Sequence, residues 1–296
     1  MSTYNGERYL REQLDSLLAQ RGVSVEVFVR DDGSSDGTKD ILDEYAGAHG
    51  NVHVEFGENA GVGNSFMNLL YATPDTFDYY AFSDQDDIWS EEKISRAVEL
   101  LQASGAILYT SNQECVDAEG NSLGMRYESG KHLHDAPLEI MSENMLSGCT
   151  MVFPNRFYRI LTAVEKRPSA ALLRNRIHDV WLAMVASLYN GIVYDERAFI
   201  AYRQHENNVV GAYGGGLKKR LKERSKKLFH AEYRNGRSLL AREILERFPE
   251  ETARYPLLGV CARKKKGKLL RNGKELRSYT GEGRLGFFIK VMLGLF

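Results

Sequence analysis

Between Phe82 and Trp89 the chain reads FSDQDDIW, with three carboxylates in four residues and an aromatic residue at either end. Like charges a few ångströms apart repel unless water surrounds them or a cation sits between them. In an extended segment residues i and i+2 face the same way. Asp84 and Asp86 can therefore converge on one point, while Asp87 turns elsewhere or caps the next helix. Two carboxylates at a strand end suit Mg²⁺ or Mn²⁺, which take oxygen ligands and fill the rest of their shell with phosphate and water. For an isolated D-x-D, a solvated turn is the competing reading.

Two other loops carry the same kind of chemistry. In DDGSSDGT, residues 31–38, Gly33 permits a sharp turn, and Asp31 or Asp32 can accept hydrogen bonds from a nucleobase or ribose. Asp, Gly and Ser are also ordinary turn residues. In ENAGVGNS, residues 58–65, Gly61 and Gly63 allow close backbone approach, and Asn59 and Asn64 offer amides to a sugar or phosphate. The spacing is not the dinucleotide fingerprint G-x-G-x-x-G. Further along, Asp179 of HDVW reads by itself as a helix cap, and His205 of YRQH as a surface histidine.

The elements that must position these loops alternate in type. Glu7–Gln20 spaces Leu10, Leu14, Leu17 and Leu18 for a helix. VEVFVR (25–30), VHVEF (52–56), YYAF (79–82) and AILYT (106–110) read as strands. Helices fall between them: one capped by Asp36 and running to about Ala48, one over Ser65–Tyr71, and one capped by Ser90 and carrying Lys93–Leu101. This order predicts an α/β fold, a mostly parallel sheet with helices on both faces, and ligands beyond the carboxyl ends of the strands. All three polar loops follow strands. LSGCTMVF (146–153) reads as a further strand, residues 177–189 as a buried helix, and residues 192–205 as two short strands. The start, MSTYNGERYL, enters a polar loop with almost no strand before it, so the first strand is expected to be truncated or absent.

The chain has 296 residues, 43% hydrophobic and 27% charged, with net charge −1. That balance hides an asymmetry. Residues 212–296 hold 22 lysines and arginines against eight acidic residues, which leaves the remainder near −15. The reading divides the chain into a catalytic-type domain over 1–210, a glycine-rich joint over 211–216, and a basic helical region over 217–296. The basic region is either a solvated helical appendage or an attachment to an anionic membrane surface, and its apolar end, RLGFFIKVMLGLF, is too short to span a bilayer but can lie in its interface. No recognition motif for nucleic acid accompanies the charge. The three cysteines fit neither a zinc site nor a disulfide framework and point to a reducing, cytosolic compartment.

Taken in order, STYNGERYLREQLDSLLAQ, RDDGSSDGT, NAGVGNSF and FSDQDDIW resemble the family 2 glycosyltransferases of GT-A fold. LSGCTMVF, HDVW and YRQHENNVVGA resemble the bacterial rhamnosyltransferase branch, which builds cell-surface polysaccharides. The resemblance covers residues 1 to about 213. It implies that Thr3, Tyr4 and Glu7 lie by the nucleotide base with Tyr4 stacking, and that Asp31 and Asp32 hold base and ribose, with Asn59 and Asp84 also facing the nucleotide sugar. It further implies that Asp84, Asp86 and His205 serve Mn²⁺ or Mg²⁺, and that Asp179 is the catalytic base. The implied donor is a dTDP- or UDP-sugar, dTDP-L-rhamnose first, and the implied acceptor is a saccharide or lipid-linked sugar. One displacement with one opposite-face base inverts the sugar. A sugar-nucleotide nucleotidyltransferase and a non-catalytic nucleotide-binding scaffold are the alternatives.

Overall fold

A computed structural model describes residues 1–175, 177–204 and 231–294. The chain forms two compact units that interleave in sequence. Met1–His132, Leu146–Thr162 and Gly191–Ala212 make the first, and Leu133–Met145, Ala163–Asn190 and Tyr213–Phe296 make the second.

The chain opens on β1, Ser2–Thr3, a strand of only two residues as the sequence led us to expect. Next come α1 (Leu10–Leu18), β2 (Val27–Asp31), α2 (Thr38–Ala48), β3 (Val52–Phe56) and α3 (Val62–Ala72). β1, β2 and β3 form a parallel three-stranded sheet in that order. Parallel neighbours cannot be joined by tight turns, so each return passes through a helix. Leu10, Leu14 and Leu17 of α1 meet Val27 and Val29 of β2 and Leu42 of α2 in one buried cluster.

The next elements are β4 (Tyr79–Ala81), β5 (Ile88–Trp89), α4 (Lys93–Ser104), β6 (Leu108–Val116), β7 (Ser122–Met125) and α5 (Pro137–Ser142). After them come β8 (Val152–Pro154), α6 (Asn155–Thr162), α7 (Ala170–Asn175), α8 (His178–Leu188) and β9 (Ile192–Arg203). A six-stranded sheet runs β4-β8-β6-β9-β5, with β7 on the flank of β6. Only β6 and β9 are parallel within it.

Two segments differ from the sequence expectation. Residues 146–153 do not form one strand. Gly148–Thr150 is a 3₁₀ turn and β8 begins at Val152. The Thr150 hydroxyl donates to the Ser147 carbonyl at 2.8 Å, a local bond that competes with the extended state. Residues 192–203 are one strand instead of two. Its register with β6 jumps from Ser111↔Asp195 to Asn112↔Ala198, so Glu196 and Arg197 form a bulge. The Asp195 carboxylate closes the bulge by accepting from Arg96 Nε and Arg197 Nη2, each at 2.9 Å. Ser90 does not occupy the N-cap of α4; Glu92 does.

In the second unit, α8 is buried along nearly its whole length, and Trp181 lies 6.1 Å from Phe248, ring centre to ring centre. The basic C-terminal region contains a helix over Ala231–Arg247 and ends on a helix over Arg284–Met292. No helix among the described residues is long and apolar enough to cross a membrane. The expected joint at 211–216 lies outside the described residues.

Lys93 is an exception within the core of the first unit. Its side chain is fully buried, and its Nζ sits 3.3 Å from the centre of the Trp89 ring with no hydrogen-bond partner. Burial pulls its pKa down to about 7. The folded chain therefore binds fewer protons than the unfolded chain between pH 7 and 10.5, and stability rises with pH across that window. Lys93→Met is expected to raise the melting temperature at pH 7, with the gain shrinking toward pH 10. A gain of equal size at both pH values, read by thermal unfolding, contradicts this account.

Candidate active site

The loop after β1 and the loop after β2 are tied together residue by residue. The Thr3 hydroxyl donates to Asp31 Oδ1 at 3.3 Å. Asn5, held at φ 49°, donates its N–H to Ser34 Oγ, and its side-chain oxygen accepts from the Ser35 N–H. The Glu7 carboxylate accepts the Gly37 N–H at 3.0 Å, at the start of α2. Glu7 thus serves a helix start. Tyr4 stands half exposed, at 50%.

Asp31 and Asp32 are both buried. Asp31 receives Thr3 and Ser34 hydroxyls on Oδ1, and the Gly33 and Ser34 N–H groups on Oδ2 at 3.1 and 2.9 Å. Those four donors match the roughly four acceptor sites of a carboxylate. Gly33, at φ +86°, is needed here twice over. Its backbone angle is left-handed, and a Cβ there would come within 3.2 Å of the Asn59 nitrogen. Asp32 Oδ1 accepts from Arg30 and from the Ala60 N–H at 2.9 Å, and Oδ2 accepts the Gly61 N–H at 3.0 Å. Arg30 also donates to the Glu58 carbonyl at 3.0 Å and to Ser65 Oγ at 2.9 Å. One buried guanidinium thus pins the GENAGVGN loop, with exposed Asn59 upon it, to the end of β2. Sequence reading passed over Arg30. Its signal is a basic residue immediately before a paired carboxylate at a strand end.

The third loop departs from expectation in one respect. Asp87 neither turns away nor caps α4. Its carboxylate is buried, accepts the Arg203 N–H at 3.1 Å, and comes together with Asp84 and the Cys149 thiol, their ligand atoms within 4.8 Å. Desolvation, with Asp86 and Asp84 adding repulsion, drives the Asp87 pKa well upward. The Cys149 pKa is raised as well, first by burial and then by Asp87 and Asp84. Asp84 and Asp86 are only partly buried. The acidic triplet thus has one buried member, whose charged form is disfavoured, and two partly buried members.

Long-range contacts hold this loop. From α1, Gln13 donates to Ser83 Oγ at 2.7 Å, Ser16 Oγ accepts the Trp89 N–H at 3.1 Å, and the neighbouring Gln20 donates to the Ser90 carbonyl at 2.8 Å. From the end of β9, Arg203 donates to the carbonyls of Asp86 at 3.1 Å and Ala118 at 3.0 Å, and pairs with Glu12. Gln85, between the two half-buried carboxylates, reaches the first loop. Its Oε1 accepts the Tyr4 N–H at 2.8 Å and its Nε2 donates to the Tyr4 carbonyl at 3.1 Å. A Cβ on Gly6 would strike this amide. Gln13, Gln85 and Arg203 escape sequence reading, since partners 70 or more residues away leave no local pattern.

Asp179 belongs to the second unit. It is the second residue of α8, whose N-cap is Ile177, and its Oδ1 accepts the Val180 N–H at 2.6 Å. A carboxylate in the first turn suits the positive end of a helix. His205 lies outside the described residues.

Strand-end loops, one of them an acidic triplet, on this α/β scaffold define a glycosyltransferase of the GT-A class. The model of glycosyl transferase family 2 matches residues 1–173, and the chain belongs to that family. It is 32% identical over 222 residues to the dTDP-rhamnosyl transferase RfbG of Shigella flexneri, covering 72% of this chain and 74% of RfbG. It is 27% identical over 156 residues to TuaG of Bacillus subtilis, a glycosyltransferase assigned to teichuronic acid biosynthesis, covering 52% of this chain and 60% of TuaG. Residues 1–349 of S. aureus TarS share the fold at a TM-score of 0.59 and 20% identity, over 98% of this chain and 79% of that structure.

If the Gln85 amide couples the two loops, Gln85→Ala frees the first of them. Amide exchange at Tyr4 is expected to accelerate tenfold or more, while exchange at buried Val29 stays as it was. Unchanged exchange at Tyr4 rules the coupling out.

Proposed function

We propose that the chain transfers a deoxyhexose, L-rhamnose from dTDP-L-rhamnose, with inversion, to a saccharide or lipid-linked acceptor in surface polysaccharide synthesis. The observation that carries the reading is the 32% identity with RfbG over 222 residues. TuaG adds support for the polymer class of the acceptor.

The donor set at the third loop fits a hard divalent cation, with Asp84 and Asp86 as partly buried oxygen donors. Asp84 and Asp86 would hold Mn²⁺ or Mg²⁺ with His205. When bound, such an ion offsets the negative charge that grows on the departing diphosphate. Tyr4, with its exposed ring, stacks on the base. Thr3, Glu7 and Asp31 keep that loop in shape. Asp32, with three donors against about four acceptor sites, has capacity for a ribose hydroxyl, and Asn59 lies on the loop that Asp32 and Arg30 hold. Asp179 takes the proton of the acceptor hydroxyl as it attacks.

The C-terminal helix supplies a second element of the reading. Leu285, Phe288, Ile289 and Met292 are exposed along one stripe at i, i+3, i+4 and i+7, while Phe287 and Val291 are buried on the other side. Exposed Lys265, Lys266, Lys268 and Arg271 precede it in the same unit. An apolar stripe with nearby cations fits the inner surface of an anionic membrane, where a lipid-linked acceptor resides.

Binding of dTDP-, UDP- and GDP-sugars, each with and without Mn²⁺, tests the donor. Metal-dependent binding of dTDP-L-rhamnose is expected, and equal binding after chelation sinks the metal assignment. Asp179→Asn is expected to retain donor binding and to slow transfer by about 10²–10⁴; transfer at the parent rate removes Asp179 as the base. Co-sedimentation with phosphatidylglycerol vesicles is expected to fall sharply in Phe288→Ser/Ile289→Ser. Equal sedimentation of parent and variant refutes the membrane reading.

A further inference from the structure

Behind the acidic loop, β6 carries a buried amide, Gln113. Its Oε1 accepts from Arg126 Nη1 and from Ser147 Oγ, each at 3.0 Å. Its carbonyl accepts the Arg126 N–H at 2.8 Å. The Arg126 guanidinium is itself seated by two rings, 5.6 Å from the centre of Tyr127 and 5.4 Å from that of Tyr202. Two donors on one oxygen decide which way an amide is turned. The Gln113 Nε2 therefore faces the other way, and it donates to Cys149 Sγ at 3.1 Å.

Cys149 is the middle residue of the 3₁₀ turn Gly148–Thr150. The turn is tied to β6 by the Thr150 hydroxyl, which lies 2.7 Å from that of Thr110. A buried thiol is ordinarily a small apolar filler. This one has polar neighbours on two sides. Its sulfur accepts from Gln113, and it lies with oxygens of Asp84 and Asp87 inside 4.8 Å. The thiol proton is directed at Asp87, where it favours the charged form against the desolvation that opposes it. The Asp87 carboxylate is thus held from two sides, by the Arg203 N–H on Oδ1 and by the thiol.

We propose that Gln113 and Cys149 are positioning residues for the divalent cation: the amide aims the thiol, the thiol holds Asp87, and Asp87 fixes the loop from which Asp84 and Asp86 reach the ion. This role rests on Asp84 and Asp86 being the oxygen donors, as proposed above. Groups that orient a ligand without touching the metal change metal affinity by about 10–100-fold when lost. The competing account is packing. If sulfur only fills space, alanine and serine in its place behave alike, because both lose its volume. If its hydrogen bonds matter, serine replaces it, with one O–H to give and lone pairs to receive, and alanine does not.

Two measurements on the full chain test this: Mn²⁺ binding with dTDP present, followed by electron paramagnetic resonance at neutral pH, and amide exchange at Arg203 without metal. Cys149→Ala is expected to weaken Mn²⁺ binding about tenfold or more. It should also speed exchange at Arg203, whose N–H rests on Asp87. Cys149→Ser is expected to match the parent in both. Gln113→Glu keeps an acceptor for Arg126 and Ser147 and removes the N–H aimed at sulfur. It is expected to weaken Mn²⁺ binding although it brings a negative charge, which by Coulomb attraction alone would strengthen it. Equal loss in Cys149→Ala and Cys149→Ser overturns the proposal in favour of packing. Parent affinity in Cys149→Ala overturns it, and so does tighter Mn²⁺ binding in Gln113→Glu. A parent chain that binds no Mn²⁺ removes the cation assignment of Asp84 and Asp86, and the positioning role with it.

Discussion

Carboxylates crowd the strand ends of the first unit, and each must be answered before the chain can fold around it. An ionised carboxylate taken from water without partners costs far more than the net stability of a domain can bear. The structure answers the buried ones in different ways. Asp31 is met by backbone N–H groups and hydroxyls of its own turn and of the loop before it. Asp32 is met by a buried arginine and by two N–H groups of the third strand's loop. Asp87 is pushed toward its neutral form against a thiol and a main-chain donor. Asp84 and Asp86 lie nearer the surface, partly buried.

That division of labour ties the loops together. Because Asp32 takes its donors from Ala60 and Gly61, the loop after β3 cannot move without exposing a carboxylate. Because Asp31 takes a donor from Thr3, the loop after β1 is fixed by the same group that shapes the loop after β2. Gln85 then links the acidic loop to Tyr4 by a pair of amide hydrogen bonds that imitates a strand contact. Electrostatic catalysis depends on donors and charges already in place before the reaction, and such mutual constraint is how loops achieve it.

Much of this was open to reading from sequence. The β–α alternation, the polar loops after strands, the short first strand and the family resemblance all rest on local patterns: periodicity, turn residues and motif order. Those patterns survive because helices and turns are specified over a few residues. Tertiary structure alone decided the rest. Residues 192–203 form one bulged strand because Asp195 finds Arg96, 99 residues distant. Asp87 lies inside because Arg203, 116 residues on, presents its N–H there. Arg30, Gln13 and Gln85 gain their roles from partners far along the chain. Hydrogen bonds between distant segments leave no periodic trace in the sequence, and in this protein such bonds decide which carboxylates are buried in the fold and which lie nearer the surface.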